Sequence, residues 1–194
     1  MKGVAFEQFM DGFFKGDFGQ YFTPRPIIEF AVKMMKPEHD WDVLDPACGS
    51  GGFLLHALDY MRSRASEYYD KDTVDYFNYW HDFASKHLYG IEINDEIARV
   101  AKMNMIVHDD GHTNVISFDA LDSIDKMHDH NRGFEAGKFD LILTNPPFGS
   151  TITKAEKPYL ANYELGKTKD AKGKYKDRPR QSSEILFIER IWEF

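Results

Sequence analysis

The ten residues from Phe139 to Phe148 constrain the fold and chemistry of this chain more than any other stretch. Residues 139–144 form a short, largely apolar run, which is typical of a buried parallel strand. Two prolines follow Asn145, so two φ angles are fixed and two backbone donors are lost. The resulting turn is rigid, rich in hydrogen-bond acceptors and followed at once by the flat ring of Phe148. We expect such a turn to suit a planar group that carries an NH2.

The length of 194 residues allows one domain with a substantial core. No apolar run reaches the roughly 18 residues that a membrane span needs, and the N-terminus lacks the pattern of a signal peptide. Cys48 is the only cysteine, so no internal disulfide can form, which fits a reducing compartment. We therefore expect a cytoplasmic protein with no membrane partner.

Charge is unevenly distributed along the chain. The net charge of -8 argues against a free-standing nucleic-acid binder. Between Thr153 and Gln181, however, nine Lys and Arg residues face only four Asp and Glu residues. We interpret residues 150–181 as a basic loop that could meet nucleic-acid phosphates. A solvated surface loop without a partner explains the same charge pattern equally well.

Strands and helices alternate, which predicts an α/β fold with a largely parallel, doubly wound sheet. Strands are predicted at residues 41–45, 87–93, 114–118 and 139–144, with helices between them and a last helix from Ser182 or Ser183. Helical spacing of apolar residues from Val4 to Phe18 predicts one further helix at the start. Because the sheet stops at the fourth strand within this sequence, we expect a fragment of a longer protein.

A tight loop of small residues joins the first predicted strand to its helix, at residues 46–52. Gly49 and Gly51 would let a ligand approach the backbone, and the helix start offers free N–H groups. The spacing is neither Gly-x-Gly-x-x-Gly nor Walker A, which disfavours a nicotinamide dehydrogenase. Asp45 beside the loop suits a cationic or hydroxyl-bearing ligand better than a pyrophosphate. A tight turn without a ligand is the alternative.

Acidic residues end the first three predicted strands, namely Asp45, Glu92 and Asp119. In open α/β sheets, ligands bind beyond the carboxyl ends of the strands. Glu92 could accept hydrogen bonds from both hydroxyls of a ribose, and Asp119 from the exocyclic amine of an adenine ring. Each acid alone would more often be a solvated carboxylate, but three in succession favour an adenosine-bearing ligand.

The turn after the fourth strand fits a reaction at an aromatic amine. Such an amine is a poor nucleophile because its lone pair is delocalised into the ring. The Asn145 amide oxygen and the Pro146 carbonyl could hold both amine hydrogens and point the lone pair at an electrophile. Phe148 would stack on the base. A proline turn with a purely structural role is the alternative.

In this combination of motifs the chain resembles the S-adenosylmethionine-dependent DNA adenine-N6 methyltransferases. It is most similar to the modification (M) subunit of Type I restriction-modification systems. Residues 19–24 resemble the Thr-Pro segment that closes over the methionine part of the cofactor, residues 45–53 the cofactor loop, and residues 145–148 the catalytic motif. This motif order is the γ arrangement. The resemblance implies a Rossmann-like methyltransferase fold, truncated here after the fourth strand.

The resemblance implies methyl transfer from S-adenosylmethionine to the exocyclic amine of an adenine flipped out of double-stranded DNA. Implied partners are the specificity (S) and restriction (R) subunits. Residues 1–19 would end an N-terminal helical region, and residues 20–194 would form an incomplete catalytic domain. The implied catalytic residues are Asn145, Pro146, Pro147 and Phe148, with no metal. The implied cofactor-binding residues are Gln20, Tyr21, Phe22, Thr23, Pro24, Arg25, Asp45, Ala47, Gly49, Ser50, Gly51, Gly52, Glu92 and Asp119.

Other functions stay open at this point. One is a stand-alone Type II adenine methyltransferase. Enzymes that methylate the glutamine amide of proteins or the guanine amine of ribosomal RNA also use an Asn-Pro-Pro-aromatic turn, because their substrates present a planar NH2. The non-enzyme alternative is an inactive module that binds cofactor and supports assembly. A cytosine-C5 methyltransferase is excluded, since no cysteine follows the fourth strand.

Overall fold

The computed structural model describes residues 23–108 and 111–194, which fall into two compact units. The first unit holds the described residues up to Phe118 together with Asp140–Thr144. The second unit holds Asp119–Phe139 and Asn145–Phe194. No helix in the described ranges is long and apolar enough to cross a membrane. The helix predicted from Val4 to Phe18 lies outside these ranges.

The first unit is built on a parallel sheet of four strands, in the order β3-β2-β1-β4. The strands are β1 (Val43–Asp45), β2 (Leu88–Glu92), β3 (Val115–Ser117) and β4 (Leu141–Ile142). The helices are α1 (Arg25–Met35), α2 (Gly52–Tyr68), α3 (Val74–Lys86) and α4 (Asp95–Val107). The predicted α/β class with parallel strands is confirmed.

Burial explains why these strands form where the sequence predicts them. Every residue of β1 and β2 is buried, as expected for parallel strands covered on both faces. Leu54 and Leu58 of α2 and Phe83 of α3 are almost wholly buried in the core of the unit. Burying each such side chain contributes about 1.5–3 kcal/mol.

The helix boundaries follow local chemistry. Asn94 caps α4, because its side chain accepts hydrogen bonds from the backbone N–H groups of Glu96 and Ile97 at 2.9 and 3.2 Å. Helix α1 ends at Met35, and its C-cap Lys36 has a left-handed φ of 49° and precedes Pro37. Both boundaries have the local sequence that is typical of a helix end.

The fourth strand is shorter than predicted. The apolar run at residues 139–144 gives only the two-residue strand β4, which pairs with β1 alone and lies at the edge of the sheet. Just before β4, the Asp140 carboxylate accepts the backbone N–H of Asp42 at 2.8 Å. The Asp42 N–H is thus bonded to the Asp140 side chain, whereas in a longer strand it would be bonded to a backbone carbonyl.

The second unit contains small sheets and two helices. Its strands form two antiparallel pairs, β5 (Thr151–Thr153) with β8 (Arg180–Ser182) and β6 (Lys167–Lys169) with β7 (Tyr175–Asp177). The helices are α5 (Ile124–His130) and α6 (Ser183–Glu193), with a 3₁₀ helix at Pro158–Asn162. Residues 150–181, predicted as a loop, therefore carry four short strands. These ribbons are largely exposed, so their sequence lacks the alternation of apolar and polar residues that marks a half-buried strand.

A buried polar network joins α6 to the chain after Asp119. Arg190 of α6 is buried and donates from Nε and Nη2 to the Tyr163 hydroxyl at 3.0 and 2.7 Å. The Tyr163 hydroxyl donates in turn to the Leu121 carbonyl at 2.7 Å. Glu193 pairs with the Arg190 guanidinium at 2.8 Å. The buried cation is therefore both paired and hydrogen-bonded, as a buried charge must be.

A substitution at Gly90 tests the close packing of β2 in the first unit. A Cβ at Gly90 would lie 2.8 Å from Leu54 Cδ1 and 3.2 Å from Cys48 Sγ. We expect Gly90→Ala to lower the free energy of unfolding by about 1–3 kcal/mol through overpacking. Urea denaturation measures the change. Gly52→Ala is the matched control, because its Cβ would meet only the end of the Ile28 side chain. Equal stability of Gly90→Ala and the wild type would contradict the expectation.

Candidate active site

Asp45 is a buried acid among the predicted site residues that the structure describes. It ends β1 with a side chain that is 1% exposed, and its Oδ1 accepts the Ala47 N–H at 3.1 Å. Burial raises the pKa of Asp45 to about 7, and the charge of Glu92 adds to the rise. The Thr144 hydroxyl and the Ala47 N–H offset part of it. The Thr144 hydroxyl lies outside normal hydrogen-bond geometry, so the Ala47 N–H is the donor that stabilises the Asp45 carboxylate.

The small-residue loop after Asp45 is folded by its own backbone. Gly49 and Gly51 have φ values of 53° and 88°, in the left-handed region that favours glycine. The Cys48 N–H donates to the Ile91 carbonyl at 2.9 Å, which fastens the loop to β2. A Cβ added at Gly49 would meet nothing within 4 Å, so the space beside that residue is open. Helix α2 then starts without a side-chain cap, and its first N–H groups are available to a ligand.

Glu92 and the glycine loop are brought together by the pairing of β1 with β2. Glu92 Oε2 accepts the Gly49 N–H at 3.0 Å, and Oε1 accepts the Asn94 N–H at 2.9 Å. Burial raises the pKa of Glu92, while backbone N–H groups oppose that rise. A carboxylate has about four lone-pair sites. Glu92 can therefore accept further hydrogen bonds, and the two hydroxyls of a ribose fit that requirement.

The Thr-Pro segment is described only in part. Thr23 is half-buried, and Pro24 and Arg25 are exposed at the start of α1. The Pro24 carbonyl accepts the Ile27 and Ile28 N–H groups at 2.9 and 3.2 Å, so this residue begins the helix. The remaining predicted residues of the segment, Gln20, Tyr21 and Phe22, lie outside the described residues.

Asp119 belongs to the second unit and is held there by three donors. Its Oδ1 accepts the Leu121 N–H at 3.0 Å. Its Oδ2 accepts both the Lys157 ammonium at 2.9 Å and the Tyr159 hydroxyl at 2.8 Å. The residue lies two positions beyond the end of β3, rather than at the strand end as predicted.

The Asn-Pro-Pro-Phe turn is anchored within the second unit by the first residue of α6. Ser183 Oγ donates to the Pro147 carbonyl at 3.0 Å, and the Ser183 N–H donates to the Ser150 carbonyl at 3.1 Å. Asn145 is half-buried, whereas the Phe148 ring is 73% exposed. The turn therefore has a fixed backbone and presents an aromatic face to solvent.

Three contacts around these residues were not predicted. Ser183 begins α6, as the sequence pattern predicts, and its side chain also contacts the turn. Lys157 and Tyr159 read as members of a solvated basic segment, yet both bind Asp119 across 38 and 40 residues. No sequence spacing indicates pairs so far apart.

The chain matches a family model described as N-6 DNA Methylase over residues 1–193. The chain belongs to the N-6 DNA methylase family. The family expected from the motifs is therefore confirmed.

Several relatives of this chain are methylase subunits of Type I restriction enzymes. The StySPI methylase subunit of Salmonella potsdam is 32% identical over 148 residues, which are 70% of this chain and 24% of the relative. The EcoEI methylase subunit of Escherichia coli is 30% identical over 162 residues, covering 80% of this chain and 29% of the relative. The chain thus spans about a quarter of the length of the curated relatives it matches.

A solved structure agrees with the family and with the Rossmann-like fold. A modification subunit from Vibrio vulnificus YJ016 superimposes with a TM-score of 0.67 at 27% identity. The match covers 97% of this chain and 34% of that subunit. Both the expected fold class and the expected similarity to modification subunits are confirmed.

The raised pKa of Asp45 gives the stability of this N-6 DNA methylase chain a definite pH dependence. The folded chain keeps a proton that an unfolded carboxyl releases near pH 4, so this contribution is full below about pH 4 and is lost as pH rises through about 7. We expect Asp45→Asn, which keeps an oxygen for the Ala47 N–H, to gain stability relative to the wild type as pH rises from 5 to 8. The gain is on the order of 1 kcal/mol per pH unit below pH 7.

Urea unfolding of both proteins at pH 5, 6, 7 and 8 measures this difference. A difference that stays constant with pH would mean that Asp45 is ionised in the folded chain throughout the range.

Proposed function

We propose that this chain is part of the modification subunit of a Type I restriction-modification system and carries out DNA adenine-N6 methylation. Membership of the N-6 DNA methylase family and the similarity to Type I methylase subunits support the proposal. One observation carries it: the Asn-Pro-Pro-Phe turn is fixed by Ser183 and exposes Phe148. Residues 20–194 as catalytic domain, residues 1–19 as the end of a helical region, and a cytoplasmic location belong to the same proposal.

S-adenosylmethionine is the proposed cofactor, and when bound it supplies an electrophilic methyl group on a sulfonium. Glu92 would accept hydrogen bonds from the ribose hydroxyls with its remaining lone pairs. Asp119 would accept a hydrogen bond from the adenine amine. The open side of Gly49 and the uncapped start of α2 leave the loop backbone accessible to a ligand. In its ionised form the carboxyl of Asp45 would offset positive charge, and residues 20–25 would cover the methionine part.

Asn145 and Pro146 would act on the target amine by position rather than as bases. The Asn145 amide oxygen and the Pro146 carbonyl accept the two amine hydrogens, which localises the nitrogen lone pair. The neighbouring Pro147 carbonyl already accepts Ser183 Oγ, so it supports the turn and leaves the amine to Pro146. An amide is a very weak base, and the amine proton is therefore released to solvent.

The basic segment would contact DNA phosphates. Three of its lysines are paired with acids: Lys154 with Asp177, Lys157 with Asp119 and Lys167 with Glu164. Among the described residues, no acid pairs with the exposed cations Lys172, Lys174, Lys176 and Arg180. An excess of positive charge therefore remains on this surface, and each phosphate contact makes binding salt-dependent. Double-stranded DNA and the specificity and restriction subunits are the proposed partners.

A methylation assay with tritiated S-adenosylmethionine tests the proposed substrate. The complete modification subunit, assembled with its specificity subunit, is offered adenine-containing duplex DNA, ribosomal RNA and protein. We expect label only in the duplex, recovered as N6-methyladenine. Label only in protein glutamine or only in RNA guanine would overturn the proposal in favour of the other enzymes that share this turn.

Two substitutions separate catalysis from cofactor binding. We expect Asn145→Ala to lower the rate of methyl transfer by about 100-fold or more, because it removes a positioned acceptor. Its affinity for S-adenosylhomocysteine should stay within a few-fold of the wild type. Asp45→Ala should weaken that affinity instead. Calorimetry and single-turnover kinetics measure the two effects, and a swap of the two phenotypes would contradict the assigned roles.

Phe148 can be replaced with little effect on the stability of the folded chain, because its ring is mostly exposed. Loss of a base–aromatic stack costs about 1–3 kcal/mol, so Phe148→Ala should lower kcat/KM roughly 5- to 150-fold. The thermal midpoint should not change, because the ring is mostly exposed. Trp192→Ala is the matched control: its side chain is 90% exposed in α6, and its removal should leave kcat/KM unaltered.

A further inference from the structure

The hydrogen bonds to Asp119 leave little freedom for its carboxylate. Oδ2 is used twice, by the Lys157 ammonium and by the Tyr159 hydroxyl. Oδ1 is used once, by the Leu121 N–H. A carboxylate offers about four lone-pair sites, two on each oxygen. Three of these sites are filled by the chain itself, so one acceptor direction on Oδ1 remains.

The chain around both donors to Oδ2 is held by further contacts. Lys157 donates its backbone N–H to the Thr153 carbonyl at 2.9 Å, and its own carbonyl accepts the Leu160 N–H of the 3₁₀ helix at 3.1 Å. The Tyr159 ring lies edge-on to the Tyr163 ring, with centroids 6.3 Å apart. Tyr163 is in turn bonded to Leu121 and Arg190. The carboxylate and its donors therefore share one frame within the second unit.

The surroundings of Tyr159 also favour its neutral form. Burial raises the pKa of Tyr159, and its hydrogen bond to Asp119 raises it further, so the residue stays a neutral O–H donor. The Asp119 side chain is 17% exposed, and the pair with Lys157 is partly shielded from solvent. The Lys157 ammonium has no lone pair to offer, and the Tyr159 hydroxyl uses its only hydrogen in the bond to Asp119. The fixed carboxylate thus presents an acceptor and no donor to a ligand.

We propose that Lys157 and Tyr159 are positioning residues that make Asp119 selective for a nucleoside whose purine carries an exocyclic amine over one that carries a carbonyl oxygen. The inference rests on the proposed function, in which Asp119 meets the adenine of the cofactor. A site built around one fixed acceptor gains a hydrogen bond from an N–H group and opposes a second acceptor at the same place. Sites with fixed polar groups discriminate strongly for this reason.

A pair of ligands that differ at this edge of the purine measures the selectivity. S-adenosylhomocysteine carries the amine, and S-inosylhomocysteine carries a carbonyl oxygen in its place and a hydrogen on the adjacent ring nitrogen N1. We expect the wild-type full chain to bind the adenosyl compound at least about 100-fold more tightly in calorimetry. In the double variant Lys157→Met/Tyr159→Phe this ratio should fall by about tenfold or more. Each single variant should lie between.

Several variants separate positioning from a merely structural role. A structural role would weaken both ligands by the same factor, and an unchanged ratio in the double variant would therefore overturn the inference. Lys157→Arg should restore most of the ratio, because it keeps a cationic donor. Lys154→Met is the matched control, since Lys154 belongs to the same segment and pairs with Asp177 instead. Its ratio should equal that of the wild type.

Binding of the two nucleosides to the wild type distinguishes a failure of this inference from a failure of the proposed function. If the wild type binds neither nucleoside, the proposed use of S-adenosylmethionine is wrong, and this inference fails with it. If the wild type binds the adenosyl compound without a preference over the inosyl compound, only the inference fails. Tyr159→Phe removes a single oxygen atom and provides the test should the double variant not fold.

Discussion

The parallel pairing of β1 with β2 is the constraint on which the first unit depends. Asp45 lies opposite Gly90, two residues before the end of β2, so the loop after β1 lies beside Glu92. Gly90 has no side chain, and Leu54 and Cys48 fill the space beside it. The Gly49 N–H then reaches Glu92 at 3.0 Å. Strand register, a missing side chain and one hydrogen bond together set the shape of the glycine loop.

The second unit holds two irregular stretches in place without a large sheet. The stretch after Asp119 is fastened by Lys157, Tyr159 and the Tyr163–Arg190 pair. The Asn-Pro-Pro-Phe turn is fastened by Ser183. Most of these anchors are polar side chains that reach backbone or carboxylate oxygens. Such networks rigidify a region only when every member is satisfied.

The sequence predicts the regular parts of this chain well and the long-range polar contacts poorly. The buried strands and the glycine loop each leave a local pattern, and the structure agrees with both. The ribbons in residues 150–181 leave no such pattern, because their side chains are largely solvated. The long-range contacts of Lys157 and Ser183 were not predicted for a related reason: a lysine in a basic run or a serine at a helix start already has an ordinary local explanation. The catalytic and cofactor roles stay predictions that rest on the motifs.

The buried thiol of Cys48 determines how readily the glycine loop could be alkylated. Burial, reinforced by the charges of Asp45 and Glu92, raises the pKa of this thiol well above its ordinary value. Only the thiolate is a strong nucleophile. In a protein proposed to handle an electrophilic methyl donor, a reactive sulfur in the cofactor loop would invite self-alkylation. The two acids proposed to bind the cofactor thus also favour the protonated, unreactive form of the Cys48 thiol.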